Sequence, residues 1–291
     1  MTLQRMLVSA AVLAVVALAA GPVQATSFVL DGNYLRVGVS NSGGLIDDAF
    51  TVGIDYDNTG SATWSTWDFL KPGTPWEFYS IGYNGVWNNA GYLLGNPFGA
   101  TSTDTSAGSI NSARTVGAYG PLAFQQEMAY ADGSGWIDFR VTLTNTADFA
   151  VTDIVYARGL DPDQDVYAGG GYDTTNVIVD GNLVTASAPV TDWTIAIFSN
   201  SAYPHAPSID SYWSTDPYYL FNTPPNDGYG DNTINMAWWI GTLGSGESAE
   251  ITFQYRVAET QEGTIIPEPV TMAGLLIGIA GLGGYIRRRM A

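Results

Sequence analysis

Apolar and polar residues alternate with a period of two through most of residues 26–266. That spacing turns one side of an extended strand toward a core and the other toward water. Leu35, Val37 and Val39 alternate with Tyr34, Arg36 and Ser40, after an Asp31-Gly32-Asn33 turn that predicts a hairpin with Phe28–Leu30. Within Trp136–Asn145, Ile137, Phe139, Val141 and Leu143 point one way, and Asp138, Arg140, Thr142 and Thr144 the other. Further strands are predicted over Trp76–Tyr83, Leu122–Tyr130, Val151–Arg158, Trp193–Ser199, Ile234–Ile240 and Ala249–Ala258. Asn176–Asp180 and Leu183–Ser187 flank a two-residue Gly181-Asn182 turn. No stretch has a helical period and no unit repeats, which argues against a solenoid or propeller. Gly82–Ser112, rich in Gly, Asn, Ser and Thr, reads as long loops on one face. The expectation is an all-β fold: a single large antiparallel β-sandwich or super-sandwich.

Two local patterns bear on the connections. Val141–Thr146 followed by Val151–Tyr156 resembles the strand–turn–strand of secreted bacterial sandwich modules, and Ile240–Ser248 resembles their closing hairpin.

The two ends break the alternation. Residues 1–25 carry Arg5, an apolar run Met6–Ala20 and a small-residue cleavage pattern Val23-Gln24-Ala25, so a signal peptide cleaved after Ala25 is expected. Its partners would be a Sec-type export machinery and signal peptidase. Near the other end, Pro267-Glu268-Pro269 precedes an apolar stretch, Val270–Ile286, and then Arg287, Arg288 and Arg289. The stretch is about the ~17 residues needed for a short spanning helix, and the arginines would hold the tail on the cytoplasmic side. In this order the three parts resemble a PEP-CTERM sorting signal. The resemblance covers residues 267–291 with a transmembrane helix at 270–286, and leaves 26–266 as the exported β domain. It implies that Pro267, Glu268 and Pro269 are recognised by an exosortase-like processing enzyme. It also implies transient anchoring in the inner membrane of a Gram-negative bacterium, followed by release to the cell surface or extracellular matrix, near exopolysaccharide.

Charge narrows the function classes. The chain has 10 basic and 28 acidic residues and a pI near 4.1. Residues 26–266 alone carry −21, because all the acids except Glu268 and only six of the basic residues lie there. Such a surface keeps a protein soluble and attracts cations; it excludes phosphate-neutralising contacts to nucleic acid. The absence of cysteine removes disulfides, thiol nucleophiles and Cys-ligated zinc.

Candidate chemistry is sparse. Asp161, Asp163 and Asp165 alternate in one loop, with Asp173 and Asn176 following. Ca²⁺ takes six to eight oxygens and suits such a loop, so Asp161, Asp163, Asp165 and Asp173 form the candidate Ca²⁺ set. The EF-hand pattern fails, since Val166 and Tyr172 stand where that loop needs Gly and Glu. Weaker acidic loops lie at Asn226–Asn232 and Asp55–Asn58; short polar residues there also cap turns. The lone His205, between prolines, reads as a solvated loop residue. Glu127 and Asp138 are acids on strands without a sequence-defined partner, so no catalytic residue is assigned. Trp64, Trp67, Trp87 and Trp213 are candidates for stacking on sugar rings. The bulk of the aromatics are expected in the core.

These features lead to an expectation of a non-enzymatic structural or adhesive protein of the surface matrix, associated with exopolysaccharide. A polysaccharide hydrolase or lyase and a carbohydrate-binding module are the alternatives. A cleft with two facing carboxylates would favour the enzyme. The sorting expectation has a direct test. A chain ending at Ile266 should be secreted freely, and changing Arg287–Arg289 to Asp should disturb orientation or processing. Cell fractionation and the mass of the processed chain read both outcomes.

Overall fold

The computed structural model describes residues 27–64, 68–91, 93–224 and 226–265. The expected signal peptide, the sorting signal with its 270–286 helix, and Trp67 lie outside the described residues. Among the described residues no helix is long and apolar enough to cross a membrane.

Seventeen strands form three antiparallel sheets. A small sheet joins β1 (Phe28–Asp31), β2 (Leu35–Val39) and β3 (Ile54–Tyr56). The predicted β1–β2 hairpin is present, with Leu30 opposite Val37. The five-stranded sheet is built from β4 (Glu77–Tyr83), β5 (Val86–Gly91), β10 (Val151–Leu160), β14 (His205–Asp210) and β16 (Thr233–Leu243), in the order β14-β16-β10-β4-β5. The remaining strands are β6 (Thr101–Asp104), β7 (Ile110–Tyr119), β8 (Leu122–Ala131), β9 (Trp136–Asn145), β11 (Thr174–Asp180), β12 (Leu183–Ser187), β13 (Thr194–Phe198), β15 (Gly228–Gly230) and β17 (Ser248–Ala258). They line up as β15-β11-β12-β13-β17-β9-β8-β7-β6. This is the expected large all-β sandwich.

Both sheets present apolar residues to one interior. β8 alternates buried and half-buried residues along its whole length, and Phe139, Phe253, Tyr156 and Trp238 stack across the gap. Trp238 and Trp239 point to opposite faces. Trp238 is fully buried and donates to Ser199, whereas Trp239 packs on Tyr218 and Phe221 outside the sheet. That outer face is covered by a short helix, α1 (Pro217–Asn222), capped at its start by Asp216 and packed through Leu220 against Phe78, Ala157 and Ala237. β10 is therefore covered on both sides, which explains its nearly unbroken run of buried residues.

The connections differ from the sequence expectation. The strand–turn–strand Val141–Tyr156 is present as parts of β9 and β10, its turn crossing between sheets, and the expected closing hairpin at Ile240–Ser248 crosses as well: β9 and β17 belong to the large sheet, β10 and β16 to the five-stranded one. Buried Asn145 ties the two crossings together. Its amide donates to the carbonyls of Phe149, Leu243 and Gly244, using hydrogen-bonding capacity that a turn peptide alone could not satisfy. Gly82–Ser112 also holds β5, β6 and the start of β7 where loops were expected. In these strands sheet pairing overrides a composition poor in β-branched apolar residues. His205 and Pro207 lie in β14, which occupies a sheet edge where a missing N–H is tolerated. The imidazole is held between Tyr203 O and Asn182 Oδ1 and is not a free loop side chain.

One charged group sits in the interior between the sheets. Arg158 on β10 donates to Glu77 on β4 at 2.7 Å, to Tyr255 Oη on β17 and to Gln126 Oε1 on β8. Its guanidinium also lies 4.6 Å from the Phe139 ring centroid. Breaking a buried pair by removing one member leaves an uncompensated charge and costs about 3–5 kcal/mol. Arg158→Met should therefore strongly lower the urea midpoint, and adding Glu77→Gln to it should recover much of the loss. Equal midpoints for the single and double variants would show that the pair is not what holds this region.

Candidate metal and saccharide site

The alternating acids follow the end of β10. Backbone bonds pin the segment: Asp161 N donates to Trp76 O, and Asp163 N to Phe69 O. Leu160 on β10 pairs with Ile234 on β16, so the residues just beyond these strand ends converge. Asp231, in the turn between β15 and β16, therefore meets Asp161 and Asp163, and carboxylate oxygens of all three lie within 4.8 Å of one another. Asp161 and Asp163 are buried and Asp231 is exposed. Among the described residues no ion pair involves this cluster.

The other two residues of the expected Ca²⁺ set are placed differently. Asp165 accepts from the backbone N–H groups of Val190 and Thr191 and from the Thr191 hydroxyl, so its carboxylate closes a loop. Asp173 flanks Asp231 and accepts from the Tyr229 hydroxyl. The weaker acidic loop at Asn226–Asn232 thus supplies the third carboxylate, 68 residues after Asp163 in the chain. Of the expected loop at Asp55–Asn58, Asp55 and Tyr56 end β3 and Asp55 pairs with Arg36, while Asp57 opens a turn and accepts from Thr59, Ser61 and Thr63.

Burial and mutual repulsion set the charge state. Burial, and then Asp231, push Asp161 up to about 8. Burial, and then Asp161 and Asp231, push Asp163 up to about 9. Burial and Asp173 also raise Asp231. Without a cation, the buried pair holds protons at neutral pH.

Aromatic residues occur in the segments around the carboxylates. Trp76, whose carbonyl holds Asp161, packs against Trp213 with centroids 5.8 Å apart, and both are half-buried. Tyr172 and Asp163 Oδ2 both press on Gly73. Its φ is +70°, and an added Cβ would lie 2.5 Å from that oxygen and 2.8 Å from the tyrosine ring. Tyr229, 64% exposed, stands over Asp173. Among the described residues of the expected stacking set, Trp213 is the one in contact with Trp76. Trp64 lies under the Arg36 guanidinium, and Trp87 is on β5 opposite Gly82. Tyr172 and Tyr229 were not foreseen, because ring exposure follows from packing that alternation does not encode. Of the strand acids, Glu127 pairs in register with Arg140 and Asp138 accepts from Gln254. A separate depression near Asn41, Asp48, Leu93 and Asn96 has one carboxylate and no aromatic ring.

The raised pKa values have a measurable consequence. Above the ordinary value of 3.8 the unfolded chain releases these protons while the folded chain keeps them, so stability falls as pH rises. With divalent cations chelated, the melting temperature should drop progressively between about pH 4 and pH 9 and then level off. Asp163→Asn, which cannot ionise, should flatten that slope. Thermal melts across the pH series check both.

No protein-family model and no curated protein sequence matches the chain. Among solved structures it is similar to a bacterial glucoamylase complexed with acarbose. The match has 10% identity and a TM-score of 0.54, over 85% of this chain and 35% of that one. It is also similar to a putative aldose 1-epimerase from Escherichia coli K12, with 12% identity, 80% and 99% coverage and a TM-score of 0.45. An α-mannosidase from Enterococcus faecalis V583 matches at 10% identity, 80% and 29% coverage and a TM-score of 0.45. The chain spans about a third of the glucoamylase's length, and that likeness shows the fold. It corrects the expectation of a structural or adhesive matrix protein, because this sandwich architecture is one that a bacterial glucoamylase contains.

Proposed function

We propose that this protein is a carbohydrate-active protein of the cell surface, and that it engages polysaccharide at the end of the five-stranded sheet where Asp161, Asp163 and Asp231 meet. The observation that carries this reading is the set of aromatic residues in the segments that hold the carboxylates: Trp76, whose carbonyl fixes Asp161 and whose ring packs on Trp213, Tyr172 beside Asp163, and Tyr229 near Asp173. A sugar presents an apolar face and a polar rim, so partly exposed rings beside hydrogen-bonding oxygens match it. The acidic surface favours a neutral glycan over a polyanionic one, since like charges repel.

Export and PEP-CTERM sorting belong to the same reading. They would bring the site to the exopolysaccharide, with the exosortase-like enzyme as a processing partner.

The test is to incubate the chain with exopolysaccharide from the producing cells, scoring retention and new reducing ends in the same samples. Trp213→Ala and Tyr229→Ala should each weaken retention about three- to tenfold, as expected for a stacking contact of about 0.5–1.5 kcal/mol. Trp87→Ala, on β5, should leave it unchanged. Retention that survives both ring substitutions would overturn the site. Reducing ends that vanish in Asp163→Asn would assign the carboxyl pair to cleavage.

A further inference from the structure

We infer that Asp161, Asp163 and Asp231 form a binding site for one calcium ion, which joins the end of β10 to the start of β16. The inference stands apart from the glycan reading and needs no saccharide.

Clustered acids alone would not carry it, because such groups are common on an acidic surface. The distinguishing observation is that buried oxygens at the centre have no partner. Asp161 is 1% exposed, and neither of its carboxylate oxygens accepts a hydrogen bond; Asp163 Oδ1 is buried without a partner as well. Other acids in this protein show what satisfaction looks like. Asp57, Asp68, Asp165 and Asp210 each accept several backbone or hydroxyl donors. Buried polar atoms are nearly always bonded, and no Lys or Arg approaches to supply a counter-charge among the described residues. Three buried oxygens on two adjacent carboxylates that lack both a donor and a counter-ion, with a third carboxylate within 4.8 Å, are the arrangement a cation completes.

The donor chemistry selects the ion. All three ligands are carboxylates, and the single histidine is occupied between Tyr203 and Asn182, so the hard, oxygen-preferring cations are favoured over zinc. Bidentate carboxylates give up to six oxygens in an irregular cage. Exposed Asp231 leaves an open side for water, which suits the flexible six-to-eight coordination of Ca²⁺ better than the near-ideal octahedron of Mg²⁺. Gly73 leaves the space beside Asp163 Oδ2 that any side chain would fill.

The experiment uses the full chain in mild detergent, with Ca²⁺, Mg²⁺ or NaCl at matched ionic strength, and follows thermal unfolding. Ca²⁺ at about one hundred times its dissociation constant should raise the melting temperature by about 5–10 °C, and Mg²⁺ or NaCl should raise it far less. Asp231→Asn changes an exposed residue and should fold normally while losing most of the Ca²⁺ shift. Asp165→Asn should lower the starting stability and keep the shift. Terbium luminescence, sensitised by Trp76, gives a second readout in the folded protein; it should be displaced by Ca²⁺ and lost in Asp231→Asn. Equal shifts from all three salts would overturn the inference. So would a Ca²⁺ shift that persists in Asp231→Asn, or one that disappears in Asp165→Asn alone.

Discussion

The ion pair between Arg158 and Glu77 is the constraint around which the sandwich closes. A guanidinium taken out of water needs every one of its donors met, and here the partners come from both sheets and from the segment between β2 and β3. Glu77 and Arg158 lie on adjacent strands of the five-stranded sheet. Tyr255 and Gln126 reach across from the large sheet, and Gly43 O receives the remaining bond. The second oxygen of Glu77 accepts from Leu45 N, and Tyr79 donates to Ser42 O. The 40–46 segment is thereby drawn into the interior, with Leu45 and Ile46 buried. Burial opposes the charge on Arg158, but Glu77 and the surrounding tyrosine oxygens outweigh it and hold the group charged. Few alternative packings of two apolar sheets could satisfy the same set of groups, so the pair specifies register as well as contact.

A different balance holds at the end of β10. There the fold gathers carboxyl groups without supplying a cation, and their protons are retained well above the usual range. The contrast between the two buried acidic places is instructive. Glu77 has its counter-charge built into the chain, whereas Asp161 and Asp163 have none. The first arrangement serves the architecture. The second has solvent access through exposed Asp231 and no built-in counter-charge.

The layout also explains why the aromatics divide as they do. Phe139, Phe253, Tyr156 and Trp238 fill the gap between sheets that no disulfide crosses. Trp239, Tyr218 and Phe221 fasten α1 to the outer face. Of the rings left partly exposed, Trp76, Trp213 and Tyr172 lie on segments outside the strands and Tyr229 on the short edge strand β15, where backbone fixed by sheet pairing positions them. Function on loops carried by a rigid sheet is the usual division of labour.

How much of this was legible beforehand follows from what period-two alternation encodes. It identifies a strand and the face it buries, so β8, β9 and β17 and the β11–β12 hairpin could be read directly. The acidic charge and the spacing of Asp161 and Asp163 were equally plain. Alternation does not say which strand pairs with which. The connection after β16 resembled a closing hairpin, yet it and the turn after β9 both cross between sheets, because Asn145 and the interior packing favour the crossing over local pairing. The same blindness hid Asp231, which joins the acids only because Leu160 is in register with Ile234. It also hid β14, whose Pro207 argues for a loop until an edge position makes the missing N–H harmless. Local sequence determined the strands and their buried faces, since these depend on neighbours one or two residues away. The sheets, the Arg158–Glu77 pair and the third carboxylate were decided only by the tertiary structure, because each depends on contacts between residues far apart in the chain.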